Sequence, residues 1–377
     1  MSKFFFCSSL NSIDKHSWNN CVNDDHPFLQ YEFLSALERS DSATTKTGWQ
    51  PYHYIEIDND DIVALCPLYI KSHSFGEYIF DHSWADAYHR YGLNYYPKLQ
   101  SAIPFTPVTG DRIIINTKVK NKKEKETEII NNIITEAKKI NVSSLHFNFI
   151  KNPSQWKNNK DIMLRSGIQF HWKNNDYKNF DEFLKNLSSR KRKIIKKERL
   201  CISNNNLRVE LLNGDLIKEE HIQFFYDCYL DTTGRKWGST YLSKNFFYDL
   251  LLNFKDKILL VMAFQENNKI ASAINFLSNS HLYGRLWGAK FEVPFLHFEL
   301  CYYQAIDYAI KNNLKIVEAG AQGEHKLQRG YVPTKTWSAH WIKDKEFSSA
   351  IESFLNKESQ LIENEKNKLE VLSPYKD

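Results

Sequence analysis

Two stretches of the chain share one pattern of apolar and polar residues, and this approximate repeat limits the possible folds more than any other feature. Ile62–Gly76 and Ile270–Gly284 both read as a hairpin, and both end in Ser-His-x-aromatic-Gly. Further along, Lys139–Val142 and Lys311–Leu314 each close a helical pattern just ahead of another strand. Repeated supersecondary units predict two domains built on one plan. Hairpins resemble one another, so coincidence is the alternative.

Helical and strand patterns alternate along both halves of the chain, which is typical of an α/β (α+β) fold. The first half contains a predicted helix over 123–139 and predicted strands that include 77–80, and the second half contains a predicted helix over 298–311. With 377 residues, of which 42% are hydrophobic, the chain is long enough for two cores. We therefore expect two domains, at about 1–175 and 176–377.

The first half carries an insertion between its hairpin and its long helix, covering about residues 81–112. The insertion is rich in Trp, Tyr, Asp and His, whereas disordered linkers are poor in aromatic residues. Long ordered loops of this kind commonly form lids or pocket walls. We expect the insertion to contact substrate through polar and aromatic side chains, namely Asp81, Trp84, Asp86, Tyr88 and Lys98.

A glycine-rich turn in the second half concentrates titratable side chains. The stretch 318–331 follows an apolar strand and contains Gly320, Gly323 and Gly330, which permit backbone conformations that other residues resist. Between the glycines lie an amide, an acid, a histidine and two cations: Gln322, Glu324, His325, Lys326 and Arg329. Loops at the ends of strands often carry binding and catalytic residues. The turn is predicted to be a functional site, and a solvated surface turn is the alternative.

The positive charge of the chain is concentrated in one segment. The net charge is +5, and Arg190–Arg199 alone holds seven basic residues and one acid, so the rest of the chain is close to neutral. Apolar residues recur there at helical spacing, and Ser188 and Ser189 could cap the helix. We predict a helix over about 188–201 and, as the alternative, a purely solvated basic face. The cations expected to contact an anionic ligand are Arg190, Arg192 and Lys196.

Several functional classes are disfavoured because their sequence signatures are absent. The six cysteines are scattered without metal-ligand spacing, which predicts neither a zinc site nor a disulfide framework. No apolar run approaches the ~20 residues of a membrane-spanning helix, and no secretory signal pattern opens the chain, so a cytoplasmic location is expected. Phosphate-loop, zinc-protease, serine-hydrolase and dinucleotide-binding motifs are also absent.

Short motifs along nearly the whole chain resemble one known family. They are Phe80–Tyr88, Tyr95–Leu99, Pro104–Gly110, Ser188–Lys193, Leu282–Arg285, Trp287–Gly288, Leu296–Glu299, Cys301–Gln304 and Gly320–Lys326. In these motifs the chain resembles the FemAB-like members of the GNAT superfamily, which are described as peptidoglycan biosynthesis or recognition proteins. The resemblance implies two tandem GNAT-like domains with mixed sheets flanked by helices, and a basic helix near the start of the second domain. It also implies transfer of an acyl or aminoacyl group to an amine.

The chain also resembles the aminoacyl-transferring Fem proteins at two places. Their basic segment resembles Arg190–Arg199, and their closing turn, with a lysine ahead of Gly-Phe, resembles Lys326 ahead of Gly330 and Tyr331. In those relatives the lysine is thought to stabilise charge on the reacting carbonyl. Because Lys326 lies four residues before the glycine, Arg329, directly before Gly330, is a competing candidate for that role.

Acyl transfer to an amine requires a neutral amine, a base for its proton, and donors for the tetrahedral oxyanion. We expect Glu324 or His325 to be the base and Lys326 to be the electrostatic stabiliser. Helix-capping and ion-pairing roles are the alternatives for the remaining polar residues near the strand ends. The predicted substrate contacts in this half are Glu299, Glu318, Gln322 and Arg329, and His297 is a further candidate base.

An acyl-CoA donor is the leading expectation, with Arg285 and Gly288 as cofactor contacts beside the basic helix. The superfamily's phosphate-binding loop, Arg/Gln-x-x-Gly-x-Gly/Ala, is only partly present, because Lys290 occupies the position of the second small residue. Two other functions stay open. One is aminoacyl-tRNA-dependent transfer to a UDP-linked peptidoglycan precursor, with the basic helix on the tRNA or the nucleotide. The other is non-catalytic ligand recognition. No metal is expected.

Overall fold

The computed structural model describes residues 2–22, 24–236, 240–321 and 323–376. Its strands are β1 (Lys3–Cys7), β2 (Trp49–Pro51), β3 (His53–Asp58), β4 (Asp61–Cys66), β5 (Tyr69–Lys71), β6 (Lys98–Ser101), β7 (Ile114–Ile115), β8 (Ser144–Asn148), β9 (Met163–Lys173), β10 (Leu207–Asn213), β11 (Ile258–Gln265), β12 (Asn268–Leu277), β13 (His281–Ala289), β14 (Ile316–Glu318) and β15 (Val332–Ile342).

Its α-helices are α1 (Lys15–Val22), α2 (Tyr31–Arg39), α3 (His82–Arg90), α4 (Lys122–Lys139), α5 (Phe180–Asn186), α6 (Ser189–Asn204), α7 (Glu219–Lys236), α8 (Lys244–Phe254), α9 (Leu296–Phe298), α10 (Gln304–Lys311) and α11 (Lys345–Val371). A π-helical turn, Glu299–Tyr303, connects α9 to α10. Short 3-10 helices occupy Leu10–Ser12, Pro27–Leu29, Pro153–Asn158, Gly214–Leu216, Lys255–Lys257 and Glu324–Arg329.

The chain forms two compact units. The first comprises Met1–Gly167 and Lys335–Asn364, and the second comprises Ile168–Thr334 and Glu365–Asp377. These units differ from the contiguous domains expected from the sequence, because the segment from Lys335 to Asn364 returns to the first unit. Within that unit the end of β15 pairs with β8, and the start of α11 packs against α3.

The first unit contains two groups of paired strands. The order β1-β3-β4-β7 is antiparallel throughout. In the order β15-β8-β6-β5-β2, the strands β6 and β8 are parallel and the other pairs are antiparallel. Helix α4 contributes one apolar face to the core, because its buried residues recur at helical spacing: Ile129, Ile130, Ile133, Ile134 and Ala137.

The second unit has the strand order β10-β11-β12-β13-β14-β9, in which only the β13–β14 pair is parallel. Strand β11 is buried at every residue except its last, as expected for a strand covered on both faces. The core of this unit joins residues of β9, α5 and the π-helical turn, including Trp172, Phe183, Leu300 and Tyr303.

Several local predictions differ from the structure. Residues 77–80 do not form a strand, because Tyr78 adopts a left-handed conformation at φ +59° and the Glu77 side chain turns into a buried ion pair with Lys98. The insertion contains α3 and β6. The basic helix is α6, and its N-cap residue Ser188 makes no side-chain capping bond. In the described part of the chain, no helix has the length and apolarity needed to cross a bilayer.

Candidate functional site

In the second unit, β13 and β14 run side by side for a short distance and then separate. Their parallel pairing ends at Tyr283 and Glu318, the last residue of β14, whereas β13 continues to Ala289. The ladder between β12 and β13 shifts register at Asn275, which makes Arg285 a bulge residue. Bulges bend a strand and redirect side chains beside active sites. The two strands therefore open into a cleft.

A cavity of about 70 Å³ lies in this cleft. Liquid water occupies about 30 Å³ per molecule, so the space suits a group of a few atoms such as a carbonyl. The rings of Trp287 and His297 lie 4.6 Å apart between their centroids. The polar and aromatic part of the lining is Asn275, Arg285, Trp287, His297, Cys301 and Tyr302.

The π-helical turn controls which side chains reach the cavity. Cys301 and Tyr302 line the cavity, whereas Glu299 and Tyr303 contact α6. A π-turn inserts one extra residue into a helix and is frequent at functional sites. The sequence predicted an uninterrupted helix over 298–311, because a single inserted residue hardly changes the apolar spacing.

The glycine-rich turn folds into the 3-10 helix Glu324–Arg329, bounded by Gly323 and Gly330 at φ +116° and +93°. A Cβ atom at position 330 would lie 2.6 Å from the ring of Phe183. A larger residue there would be both strained and obstructed. The glycines thus fix the turn that carries the predicted catalytic side chains.

Lys326 is buried within this turn, with 2% of its surface exposed. Its Nζ donates to the carbonyl of Gly320 at 2.9 Å. Among the described residues, no carboxylate lies within ion-pair distance of this ammonium. Burial lowers the pKa of Lys326 to about 8, although Cys301 acts in the opposite direction. An ammonium in this state is poised to respond to a negative charge that develops nearby.

His325 connects the turn to the cavity. Its Nε2 lies 2.8 Å from the hydroxyl of Tyr302, a cavity residue. His325 is exposed at the surface, but partial desolvation of its ring, followed by the charges of Arg329 and Lys326, lowers its pKa below the ordinary value. The imidazole is therefore neutral near pH 7, and a neutral imidazole can accept a proton.

The guanidinium of Arg329 is engaged by protein groups. Its Nη2 and Nε donate to Glu198 at 2.7 and 3.2 Å, and its Nη1 donates to the carbonyl of His325 at 2.7 Å. The group also lies 3.4 Å from the ring centroid of Phe298. These hydrogen bonds make Arg329 part of the structure that holds the turn in place. The ammonium of Lys326, in contrast, donates to the carbonyl of Gly320.

The other predicted residues of the second unit lie in different settings. Glu324 is exposed at the surface of the turn. Glu299 is buried, pairs with Arg199 at 3.1 Å and accepts from Gln304 at 2.7 Å. Glu318 is buried at the end of β14, 4.0 Å from His171. Gln322 lies outside the described residues.

Gly288, the predicted phosphate-loop glycine, is used for packing. A Cβ at this position would lie 2.1 Å from the carbonyl oxygen of Cys228 on α7. Only glycine allows that close approach of strand and helix. The phosphate-binding part of the coenzyme A motif therefore does not fit here, while Arg285 of the same motif lines the cleft. The described residues contain no group of three or more His, Cys, Asp or Glu placed to hold a metal ion.

Helix α6 presents cations to solvent. Arg190 and Lys196 are exposed and Arg192 is partly exposed. Within the described ranges, six cations of this helix have no ion-pair or hydrogen-bond partner for their side chains: Arg190, Lys191, Arg192, Lys193, Lys196 and Lys197. The lone acid of the segment, Glu198, is buried.

The insertion residues of the first unit meet in a buried polar network. The ammonium of Lys98 is fully buried and donates to Asp81 and, at 2.8 Å each, to Glu77 and Ser74. The ammonium of Lys71 lies 3.8 Å from Glu77. Two lysines and two carboxylates are thus enclosed together.

Helix α3 begins beside this network, directly after Asp81, and carries further buried polar atoms. Asp81 precedes the helix, Trp84 and Tyr88 lie one turn apart on it, and Asp86 is exposed. In the described chain, Asp81 Oδ1, Trp84 Nε1 and Tyr88 Oη are buried without a hydrogen-bond partner. Unsatisfied buried polar atoms are rare in native folds and often mark ligand sites.

Sequence reasoning gave no role to several residues that the structure places in these two sites. In the second unit they are Trp287, Cys301, Tyr302, Tyr303 and Glu198. In the first unit they are Lys71, Glu77, Tyr95, His146 and His340. A usable signal existed for Lys71 and His146, because both interrupt apolar strand patterns with a titratable side chain.

The solved structures with a similar fold include the following three. FemX matches with a TM-score of 0.54 and 12% identity, over 90% of this chain and 98% of that chain. The C-terminal domain of a putative lysylphosphatidylglycerol synthetase from Agrobacterium fabrum matches with 0.55 and 7%, over 92% and 96%. L-PGS from Bacillus licheniformis matches with 0.52 and 9%, over 85% and 93%. Because the identities are this low, the matches show a shared fold and nothing more.

The family comparison covers nearly the whole chain. The FemAB-like family, described as peptidoglycan biosynthesis/recognition, matches residues 9–377. No curated protein matches the chain significantly. The protein therefore belongs to the FemAB-like family, and its α/β chain of two compact units shares the fold of these solved structures.

Proposed function

We propose that this protein transfers an acyl or aminoacyl group from an activated donor to an amine, in the cleft between β13 and β14. The observation that carries the proposal is Lys326, a buried ammonium that has a carbonyl acceptor and, within the described ranges, no carboxylate partner. Burying a cation without a counterion is costly, and such groups cluster where charge develops during a reaction. The family description supports an acceptor amine on a peptidoglycan precursor.

The proposed reaction begins when the amine attacks the donor carbonyl and a carbon–nitrogen bond forms. Lys326 stabilises the negative charge on the tetrahedral oxygen. The bond from the carbonyl carbon to the donor's oxygen or sulfur then breaks. The amine proton passes to the departing group through Tyr302 and His325, whose Oη and Nε2 lie 2.8 Å apart. Glu324 on the same turn is the alternative base.

For the donor we propose an acyl-CoA thioester, because Arg285, part of the superfamily's cofactor motif, lines the cleft. Aminoacyl-tRNA is a second candidate, and a specific observation favours it. Six cations of α6 have no partner among the described residues, and a polyanion bound there would neutralise several of them. In that arrangement Arg190, Arg192 and Lys196 contact phosphates.

For substrate contacts we propose two sets of residues, each considered within its own unit. Asp81, Trp84, Tyr88 and Lys98 supply buried polar groups in the first unit, three of them with an unsatisfied atom. Glu318 supplies a carboxylate at the end of β14. Further proposed substrate contacts are Asp86, Glu299, Gln322 and Arg329.

A transfer assay tests the proposal. The purified protein is incubated with a UDP-linked peptidoglycan precursor and either acetyl-CoA or aminoacyl-tRNA, and mass spectrometry follows the precursor. Loss of one oxyanion donor typically lowers turnover by about 10²- to 10³-fold, so Lys326→Met should do so. Lys46→Met, at an exposed lysine of the first unit, is the control for lysine removal.

Two outcomes would contradict the proposal. Turnover by Lys326→Met at the wild-type rate would remove Lys326 from the reaction. Thermal stabilisation by the precursor, with no product from either donor, would instead favour a recognition protein; ligand at ~100 times its Kd adds about 2.7 kcal/mol to the unfolding free energy.

A further inference from the structure

Glu198, the single acidic residue of the basic segment, is buried, whereas cations beside it are exposed to solvent. Residues 190–199 contain seven cations and Glu198. Ile195, Glu198 and Ile202 are the buried residues of α6, and their spacing places them on one helical face. Glu198 therefore belongs to the inner face of α6, whereas cations such as Lys193 and Lys197 are exposed.

Glu198 holds two groups of the candidate site at once. Its Oε1 accepts from Arg329 Nη2 at 2.7 Å, and its Oε2 accepts from Arg329 Nε at 3.2 Å. This two-pronged geometry fixes the plane of the guanidinium. The hydroxyl of Tyr303, the last residue of the π-helical turn, also donates to Oε2.

Arg329 in turn restrains the backbone of the glycine-rich turn. Its Nη1 donates to the carbonyl of His325 at 2.7 Å, and that carbonyl belongs to the peptide group that leads into Lys326. The guanidinium is also packed on the ring of Phe298. Both ends of the turn are thus tied together, Arg329 at its last helical position and His325 near its first.

We infer that Glu198 is a positioning residue, which acts through Arg329 to hold Lys326 in its buried place and so couples α6 to the catalytic turn. The inference rests on the proposed function for the role of Lys326. A buried ion pair stabilises a fold little compared with apolar residues of the same size, so the main consequence of this pair is geometric. One helix then presents cations to an anionic donor and fixes the group that acts on the donor's carbonyl.

The test measures the environment of Lys326 without requiring turnover. Competitive labelling of the full-length protein with acetic anhydride, followed by peptide mass spectrometry, reports the neutral fraction of each lysine as a function of pH. In the wild-type protein, the labelling midpoint of Lys326 should lie below that of exposed lysines. In Glu198→Gln the turn should loosen and admit water, and the midpoint should rise by at least about one pH unit.

A matched variant separates positioning from general loss of stability. Glu56→Gln in the first unit also removes a buried carboxylate from an ion pair, in that case with Lys125 at 2.8 Å. It should leave the Lys326 midpoint unchanged. Glu198→Asp keeps the charge on a shorter side chain and should give an intermediate shift.

The inference and the proposed function fail in different ways. In Glu198→Gln, Arg329 loses its carboxylate partner. If the labelling midpoint of Lys326 is nevertheless unchanged, the inference is overturned, whereas the proposed function, which the transfer assay tests, is not affected. An equal rise in Glu56→Gln would also overturn it. A midpoint that rises in Glu198→Gln alone supports the coupling, and if wild-type protein then transfers nothing, only the proposed function is lost.

Discussion

The imidazoles of His146 and His340 are hydrogen-bonded to each other, with 2.7 Å between their Nδ1 atoms. The two residues are paired across β8 and β15. Since one Nδ1 must donate and the other accept, the bond requires that at least one ring is neutral. Each Nε2 also contacts a serine hydroxyl at 2.8 Å, Ser144 and Ser338 respectively.

This pair predicts that the first unit is sensitive to acid. Burial lowers the pKa of His146 to about 3 and also lowers that of His340. The unfolded chain, with its ordinary histidine pKa near 6.5, then binds more protons than the folded chain below that pH. The contribution of this pair to the unfolding free energy should be constant above about pH 6.5 and fall as the pH drops towards 3. Urea denaturation of wild-type and His340→Gln protein across this pH range measures this dependence. Equal slopes of unfolding free energy against pH in the two proteins would contradict the prediction.

Removing the buried ammonium of Lys326 should stabilise the protein. Its lowered pKa, about 8 against an ordinary 10.5, means that the unfolded chain binds more protons between these values. The free-energy cost of burying the charged ammonium is therefore at its full value below about pH 8 and disappears as the pH rises to 10.5. Lys326→Met should raise the unfolding free energy at pH 7 by about 1–3 kcal/mol. Denaturation midpoints are compared with Lys193→Met, and a destabilised Lys326→Met protein would refute the expectation.

Lys98→Met should have the opposite effect. Lys98 is as buried as Lys326, but it donates to Asp81 and Glu77. Its removal would take this cation from Asp81 and leave Glu77 with the more distant ammonium of Lys71, at 3.8 Å. Breaking a buried pair by removing one partner costs about 3–5 kcal/mol. Adding Asp81→Asn to Lys98→Met should recover part of this loss, because one stranded charge is then removed. Denaturation of single and double variants provides the measurement, and additive losses would argue against the network.

Gly288 and Gly284 on β13 should differ in their tolerance of a methyl group. A Cβ at 288 would lie 2.1 Å from the carbonyl oxygen of Cys228, whereas at 284 the nearest atoms are 3.4 Å away. Gly288→Ala must displace α7 and should cost about 3 kcal/mol or more, near the upper end of overpacking effects. Gly284→Ala should change stability by less than about 1 kcal/mol, in line with an ordinary contact. Thermal unfolding of both variants is the measurement. A Gly288→Ala protein as stable as the wild type would show that β13 and α7 are less tightly packed at this contact.

Charge reversal on α6 should weaken binding of an anionic donor and reduce its salt dependence. The double variant Arg192→Glu/Lys196→Glu removes two cations that have no partner among the described residues. The slope of log affinity against log salt for tRNA should become shallower by about 1 to 2. Lys46→Glu/Lys120→Glu, at two exposed lysines of the first unit, makes the same charge change elsewhere. Equal losses in both double variants would indicate a non-specific effect.

Local patterns in the sequence were sufficient for much of the candidate site. The glycine spacing around Lys326 predicted the tight turn, since only glycine readily adopts the conformations found at Gly323 and Gly330. Apolar spacing around 190–199 predicted a helix, and its seven cations predicted a basic outer face. Aromatic content predicted that the insertion is ordered, and the structure places Trp84 and Tyr88 in a core cluster.

Partners distant in sequence were beyond such patterns. Nothing local indicates that Glu198 pairs with Arg329, or that Lys98 is enclosed with Asp81 while Lys326 has no such carboxylate among the described residues. The π-helical turn, which puts Tyr302 rather than Glu299 into the cavity, leaves almost no trace in apolar spacing.

By itself, then, the sequence determined the elements, the turn and the basic helix, because these depend on side-chain periodicity and backbone conformation over a few residues. Only the tertiary structure decided which charges are neutralised, which glycine serves packing, and which residues share the cleft. Those properties depend on burial and on contacts between residues far apart in the chain, and the free energy of a buried charge is set by the partners that the fold brings to it.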